Sequence, residues 1–204
     1  MHSRITHYYL PPLSMVIAHG ARASNRDALL DALECIISEG SVHDVTLDGV
    51  AARAGITKGG LIYHFKSKEV LLHALVERMR LRLHAYCVDP MLDARMALKK
   101  FLIARIHYAF AMGPQEKKVM ANLLAAASTY PSLMGPVRTM YDSGLDGLAR
   151  VADTAGLALS VWTALDGFVL LEMLGVRQFS AVEKEQMQAT LLMLVEQQFA
   201  ASAR

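Results

Sequence analysis

The chain has 204 residues, 53% of them apolar and 20% charged, with a formal net charge of +2. That length suits one large domain or two small ones sharing a core, and so high an apolar fraction with so little net charge excludes a disordered chain. The most apolar stretch, Val161 to Leu174, is broken by Asp166 and Glu172, so neither a membrane span nor a membrane partner is expected.

Residues 1–21 read as a poorly ordered extension. Arg4 followed by Leu10-Pro-Pro-Leu-Ser-Met-Val-Ile-Ala18 is too short and too proline-broken for a secretory signal, and Met15 offers an alternative start. Ser24 with Asp27 three residues on predicts a capping box, after which Leu29, Leu30, Leu33, Ile36 and Ile37 repeat at helical spacing until Gly40. Thr46 predicts the N-cap of a short helix ending at Gly55; Thr57 opens a third helix and Ser67 a fourth, with Leu72, Val76, Met79 and Leu83 on one face. Pro90, Gly113-Pro114, Pro131 and Gly135-Pro136 punctuate the middle of the chain. Ser180 and Glu183 form a second capping box, opening a last helix striped by Met187, Leu191, Leu194, Val195 and Phe199. No alternating strand of useful length occurs. The reading is all-α, with about nine helices and no internal repeat.

Charge is uneven. From Arg53 to Arg82 there are seven basic residues against two acidic ones, whereas from residue 85 onward eleven of each cancel. A basic patch on a near-neutral chain suggests a polyanionic partner. Cys35 and Cys87 are too few for a thiolate metal site, and they read as small core residues in a reducing cytosol. His43, His73, His84 and His107 lack metal-ligand spacing. No nucleophile with a base, no paired metal ligands and no glycine-rich phosphate loop is found, so neither an enzyme nor a cofactor is expected.

The informative stretch runs from Thr46 through Leu-Asp-Gly-Val-Ala-Ala-Arg-Ala-Gly-Ile-Thr-Lys-Gly-Gly-Leu-Ile-Tyr-His-Phe-Lys-Ser-Lys to Glu69. It reads as a helix, a tight turn at Gly55 and a second short helix, with Val50 and Ala51 positioned to meet Ile56 and Leu61 across the turn. Small Ala51 and Ala54 permit a close crossing. This is helix-turn-helix geometry, in which the second helix enters the DNA major groove. From about Arg26 to Glu77 the chain resembles the TetR family of bacterial transcriptional regulators, through the Ala-x-x-Ala-Gly turn joined to Tyr63-His-Phe-Lys-Ser-Lys-Glu69. The resemblance implies a helix-turn-helix domain over 22–68 and a helical effector-binding and dimerisation domain over 69–204. It implies phosphate contacts from Thr46 and Tyr63, with His64 and Lys68 beside them, and a base-facing surface at Thr57, Lys58, Gly59 and Gly60. Hydroxyl, imidazole and ammonium groups suit phosphate, and Lys58 also suits guanine. Gly60 and Ile62 depart from the usual pattern: Gly60 removes a side chain from the base-facing turn and loosens it, and Ile62 stands where many relatives carry a tyrosine.

Beyond residue 85 the match is in helical character only. The two last helices, about 160–175 and 180–203, are too apolar for one buried stripe, with Trp162, Leu165, Phe168, Val169 and Leu171 on the first. The family architecture implies that these helices form a homodimer seam, which a charge at Leu191 should break. The twelve methionines with interspersed tyrosines suit an apolar cavity. The candidate ligand residues are Tyr86, Tyr108, Met112, Asn122, Tyr130, Met134, Tyr141, Trp162 and Asp166. The expected function is a regulator, and specifically a repressor released from double-stranded palindromic operator DNA by an apolar or aromatic small molecule. An effector-independent or activating regulator is the alternative. A cationic effector is expected only if Asp166 or Glu172 is forced inward unpaired.

Overall fold

Caps written into the sequence set the first elements. The computed structural model describes residues 24–87, 93–149 and 151–201. The expected extension over 1–21 and the side chains of His84, Tyr86 and Cys87 lie outside the described residues. Ser24 caps α1 (Asn25–Glu39) by accepting the Asp27 N–H at 3.2 Å. A 3₁₀ turn, Val42–Asp44, carries a capping box between Ser41 and Asp44 that the sequence reading did not single out. Thr46 caps α2 (Leu47–Ala54) and Thr57 caps α3 (Lys58–His64), each hydroxyl accepting the backbone N–H three residues ahead. Between them Gly55 adopts φ 66°, a left-handed conformation that closes α2, and Ile56 N–H returns to the Ala51 carbonyl at 2.9 Å. Six further helices follow: α4 (Lys68–Cys87), α5 (Ala94–Ala111), α6 (Pro114–Ala126), α7 (Met134–Ala149), α8 (Ala155–Met173) and α9 (Ala181–Ala201). Among the described residues there are nine α-helices and no strand, as the sequence reading anticipated.

The apolar side chains sort into two cores. The first joins α1, α2 and α3 to the N-terminal half of α4 through Leu29, Leu33, Val50, Leu61, Phe65 and Leu72, and it also takes in Val119 and Leu123 of α6. The second joins α5, α8 and α9 through Leu102, Ile106, Trp162, Phe168, Val195 and Phe199. Asn122 on α6 ties the two regions together: its amide donates to the Ile37 carbonyl at 2.9 Å and the Gly40 carbonyl at 2.8 Å, satisfying the C-terminal end of α1.

The surplus apolarity of α8 divides three ways. Trp162, Leu165 and Phe168 fill the second core, Val169 and Leu170 reach a cavity, and Leu159 and Leu171 stand exposed. By length and composition α8 is apolar enough to cross a membrane, a property that counting uncharged runs did not reveal. Both of its acids are nevertheless ion-paired within the protein, and a core helix passes the same test.

Candidate DNA interface and effector cavity

The basic stretch does not form the uniform patch that its sequence suggested. Arg78 turns onto Asp31 and Glu34 of α1, both at 2.6 Å, Arg82 joins Glu34 at 3.1 Å, and Arg80 forks onto Glu77 at 2.9 and 2.7 Å. The count failed because Asp31 and Glu34 lie upstream of the window in which charges were added. Arg78 and Arg82 fasten α4 to α1 while Arg80 pairs within α4, and the cations left near α3 are fewer.

On the helix-turn-helix itself, Tyr63 projects with 78% of its surface exposed and its ring stands edge-on to His64 at 5.0 Å. Lys58 is exposed and ion-paired to Asp48 of α2 at 3.0 Å. Lys68 donates to the His43 carbonyl at 3.1 Å, and partial burial lowers its pKa. Its ammonium therefore also braces the 3₁₀ turn. A Cβ at Gly59 would meet open space, whereas one at Gly60 would lie 2.9 Å from Ile56 Cγ2. Gly60 is thus a packing requirement of the turn, which revises its reading as a mere loosening of the helix. Cys35, expected in the core, is only partly buried and lies 2.7 Å from the Arg53 guanidinium, which also pairs with Glu39 at 2.6 Å.

A cavity of about 390 Å³ lies between the two cores, walled by α4, α5, α6, α7 and α8. Tyr108, Met112, Met134, Tyr141 and Asp166, all named from the sequence, line it. Asn122, Tyr130 and Trp162 do not. Asn122 is spent on the end of α1, Tyr130 packs on the first core, and Trp162 sits behind Tyr141, with ring centroids 5.3 Å apart. Sequence reading missed Arg105, 8% exposed on α5, and the cavity walls Met79 and Leu83 of α4. An arginine inside the apolar C-terminal half of α5, residues 101–111, with no acid in that segment was the available signal.

Asp166 is not an unpaired carboxylate. It accepts Arg105 Nη2 at 3.0 Å on one oxygen and the Tyr141 hydroxyl on the other. Burial and that bond push the Tyr141 phenol up to about 12. Glu172, 4% exposed, is held by Lys117, by Lys184 at 2.7 Å and by the Phe179 N–H at 3.2 Å. Burial raises its pKa, but these donors win and bring it to about 2. The condition set for a cationic effector, an inward acid without a partner, is not met.

The model described as "Bacterial regulatory proteins, tetR family" matches residues 29–75, and "Tetracyclin repressor-like, C-terminal domain" matches residues 99–196. The HTH-type transcriptional repressor BepR of Brucella suis is 28% identical over 166 residues, covering 75% of this chain and 78% of that protein. A transcriptional regulator from Rhodococcus sp. Rha1 superposes with a TM-score of 0.62 at 21% identity, covering 84% of this chain and 96% of the other. A TetR family transcriptional regulator from Pseudomonas syringae gives 0.58 at 16% identity, over 83% and 94% of the two chains. With the helix-turn-helix built as described, the two family matches establish that the chain belongs to the TetR family and is a DNA-binding transcriptional regulator, not an enzyme.

Proposed function

We propose that the chain is a cytoplasmic repressor that holds a palindromic operator as a homodimer and releases it when a small apolar molecule enters the cavity. In this reading residues 22–68 bind DNA, and residues 69–204 bind the effector and dimerise. The observation that carries it is the double duty of α4. Leu71, Leu72 and Leu75 complete the first core, on which α3 rests, while Val76, Met79 and Leu83 wall the cavity. An effector that prefers one position of α4 therefore changes the placement of α3, and that differential affinity is the coupling free energy repression requires. The name of the Brucella suis relative, a transcriptional repressor, supports the same direction.

Thr46, Tyr63, His64 and Lys68 are the proposed phosphate contacts, with Thr57, Lys58, Gly59 and Gly60 toward the bases. Dimerisation is assigned to α8 and α9, on which Leu159, Leu171, Met193 and Leu194 are exposed. Leu191 packs on the second core of its own chain, so a charge there tests the monomer as well as the seam. Leu194 is the cleaner position. An operator selected from random DNA and titrated by fluorescence anisotropy across salt tests the reading. Lys58→Ala should change preference at particular bases, and Lys68→Ala should weaken binding broadly with a shallower salt slope. Leu194→Glu should sediment as a folded monomer. A cavity-bound apolar compound that leaves operator affinity unchanged would overturn ligand-responsive repression.

A further inference from the structure

We infer that the cavity takes a compact apolar acid whose carboxylate is held by Arg105; the inference rests on the cavity being the effector site. The argument is an inventory of the polar atoms that line an otherwise apolar space of about 390 Å³, near the small end of the roughly 300–1,000 Å³ typical of ligand pockets. Five lining side chains carry polar groups: Arg80, Arg105, Tyr108, Tyr141 and Asp166. Arg80 is committed to Glu77 through two nitrogens. Tyr108 donates its hydroxyl to Glu116, and Tyr141 donates its own to Asp166. Asp166 has both oxygens engaged, one by Tyr141 and one by Arg105. The Arg105 cation paired to it offsets its charge, so it attracts a ligand ammonium less than an unpaired carboxylate would.

Arg105 is different. Its guanidinium carries five N–H donors, and its hydrogen bond to Asp166 uses one nitrogen, Nη2, at 3.0 Å. One face packs on the Trp162 ring, 5.3 Å from the centroid, which fixes the plane of the fork. The residue is 8% exposed and lines the cavity, so a donor turned into that space has its best partner in whatever occupies it. The spare polar capacity of the cavity wall is thus donor capacity on Arg105. The group that fits a planar fork of donors beside an apolar space is a carboxylate attached to an apolar body. Asp166 acts as the positioning residue, holding one edge of the guanidinium while Tyr141 holds Asp166.

Calorimetry on the full-length protein with matched probes tests this. One trio is decanoate, 1-decanol and decylamine; the other is 4-phenylbutyrate, 4-phenylbutanol and 4-phenylbutylamine. In at least one trio the acid should bind about tenfold more tightly than the alcohol, with the amine weakest. Arg105→Gln should abolish the preference for acid while leaving alcohol affinity in place, an outcome that simple loss of structure would not give. Asp166→Asn keeps the shape and removes the competing negative charge, so acid affinity should rise; this variant decides the matter if Arg105→Gln fails to fold. Alcohol or amine binding as tightly as acid, no binding by any probe, or unchanged acid affinity in Asp166→Asn would overturn the inference. Operator release is read separately. Acid that binds without releasing the operator upholds the inference and overturns ligand-responsive repression, whereas release by alcohol or amine alone does the reverse.

Discussion

The two cores of the molecule solve the same problem, burying helices against one another, with different chemistry. Around the first, short helices are closed by local caps at Ser24, Ser41, Thr46 and Thr57, and α4 is fastened to α1 by Arg78 and Arg82 at a partly exposed surface. Around the second, long helices carry charge inward. Glu172 with Lys117 and Lys184, and Asp166 with Arg105, are ion pairs sunk beside Phe168 and Trp162. The DNA-binding end is therefore built from interactions that each contribute about 1 kcal/mol. The cavity end depends on a few groups whose removal leaves an uncompensated charge.

The contrast breaks most sharply at Glu172. Glu172→Gln strands Lys117 and Lys184 near a buried site, and a loss of about 3–5 kcal/mol in unfolding free energy is expected from urea titration. The pH dependence has a definite sign. The folded carboxyl sits at about 2 against an ordinary value of 4.5, so its contribution is complete well above pH 4.5 and is lost as pH falls toward 2. The wild type should shed this stability across that window. Glu172→Gln should show a flatter profile there, and equal slopes would remove the ion triad from the account of the second core.

A second break is steric. A Cβ at Gly144 on α7 would lie 2.0 Å from Trp162 Cη2, far inside contact distance. Gly144→Ala should cost about 2–3 kcal/mol by overpacking, read as a lower urea midpoint with little change in slope. It should also disturb Tyr141 and Arg105, which pack on the same indole. Wild-type stability in this variant would mean that Trp162 has room to move and does not fix the guanidinium.

These two sites also mark what the sequence could and could not disclose. Caps and turns are local: Ser24, Thr46, Gly55, Thr57 and Ser180 each act on a residue within a few positions, so their roles can be read from neighbours alone. The DNA-binding end was legible for that reason. Arg105 and Asp166 are 61 residues apart, and Lys117 and Glu172 are 55 apart. Nothing in the local pattern pairs them, and an acid in an apolar helix reads as a misfit until its partner is known. The same distance explains the overestimated basic patch, because Asp31 and Glu34 neutralise arginines more than forty positions downstream. Asn122 is among the candidate ligand residues of the sequence, but its partners lie at the C-terminal end of α1.

On the DNA-binding side the expected effects shrink to the size of single caps. Thr46→Ala removes the hydroxyl that accepts the Gly49 N–H at 3.0 Å, and Thr57→Ala the one that accepts the Gly60 N–H at 3.1 Å. Each should lower stability by about 1 kcal/mol. Operator affinity should fall further than stability, because Thr46 is proposed to reach phosphate and Thr57 to face the bases. Thr→Ser at either position keeps the oxygen and should restore most of both. Full operator affinity in the Ala variants would reduce the two threonines to caps alone.

The smallest effect sharpens the comparison most, because it separates two adjacent glycines with the same sequence signal. Gly59 and Gly60 both lie in the first turn of α3, where alanine is favoured over glycine by up to about 1 kcal/mol for reasons of chain entropy. At Gly59 a methyl group would enter open space, so Gly59→Ala should raise stability by about 0.5 kcal/mol. At Gly60 the methyl would lie 2.9 Å from Ile56 Cγ2 and 3.3 Å from the Thr57 hydroxyl. Ile56 sits in the turn that sets α3 against α2, so it has little freedom to withdraw, and Gly60→Ala should lose the entropic gain and lower stability instead. Opposite signs in paired thermal melts are the expected result. Should both variants gain equally, Ile56 can shift, and the crossing of α2 and α3 is looser than its contacts imply. Operator titration of Gly59→Ala then adds what stability cannot. The variant is unstrained, so any loss of affinity it shows reports a methyl group meeting DNA, which places the exposed face of that turn against the bases.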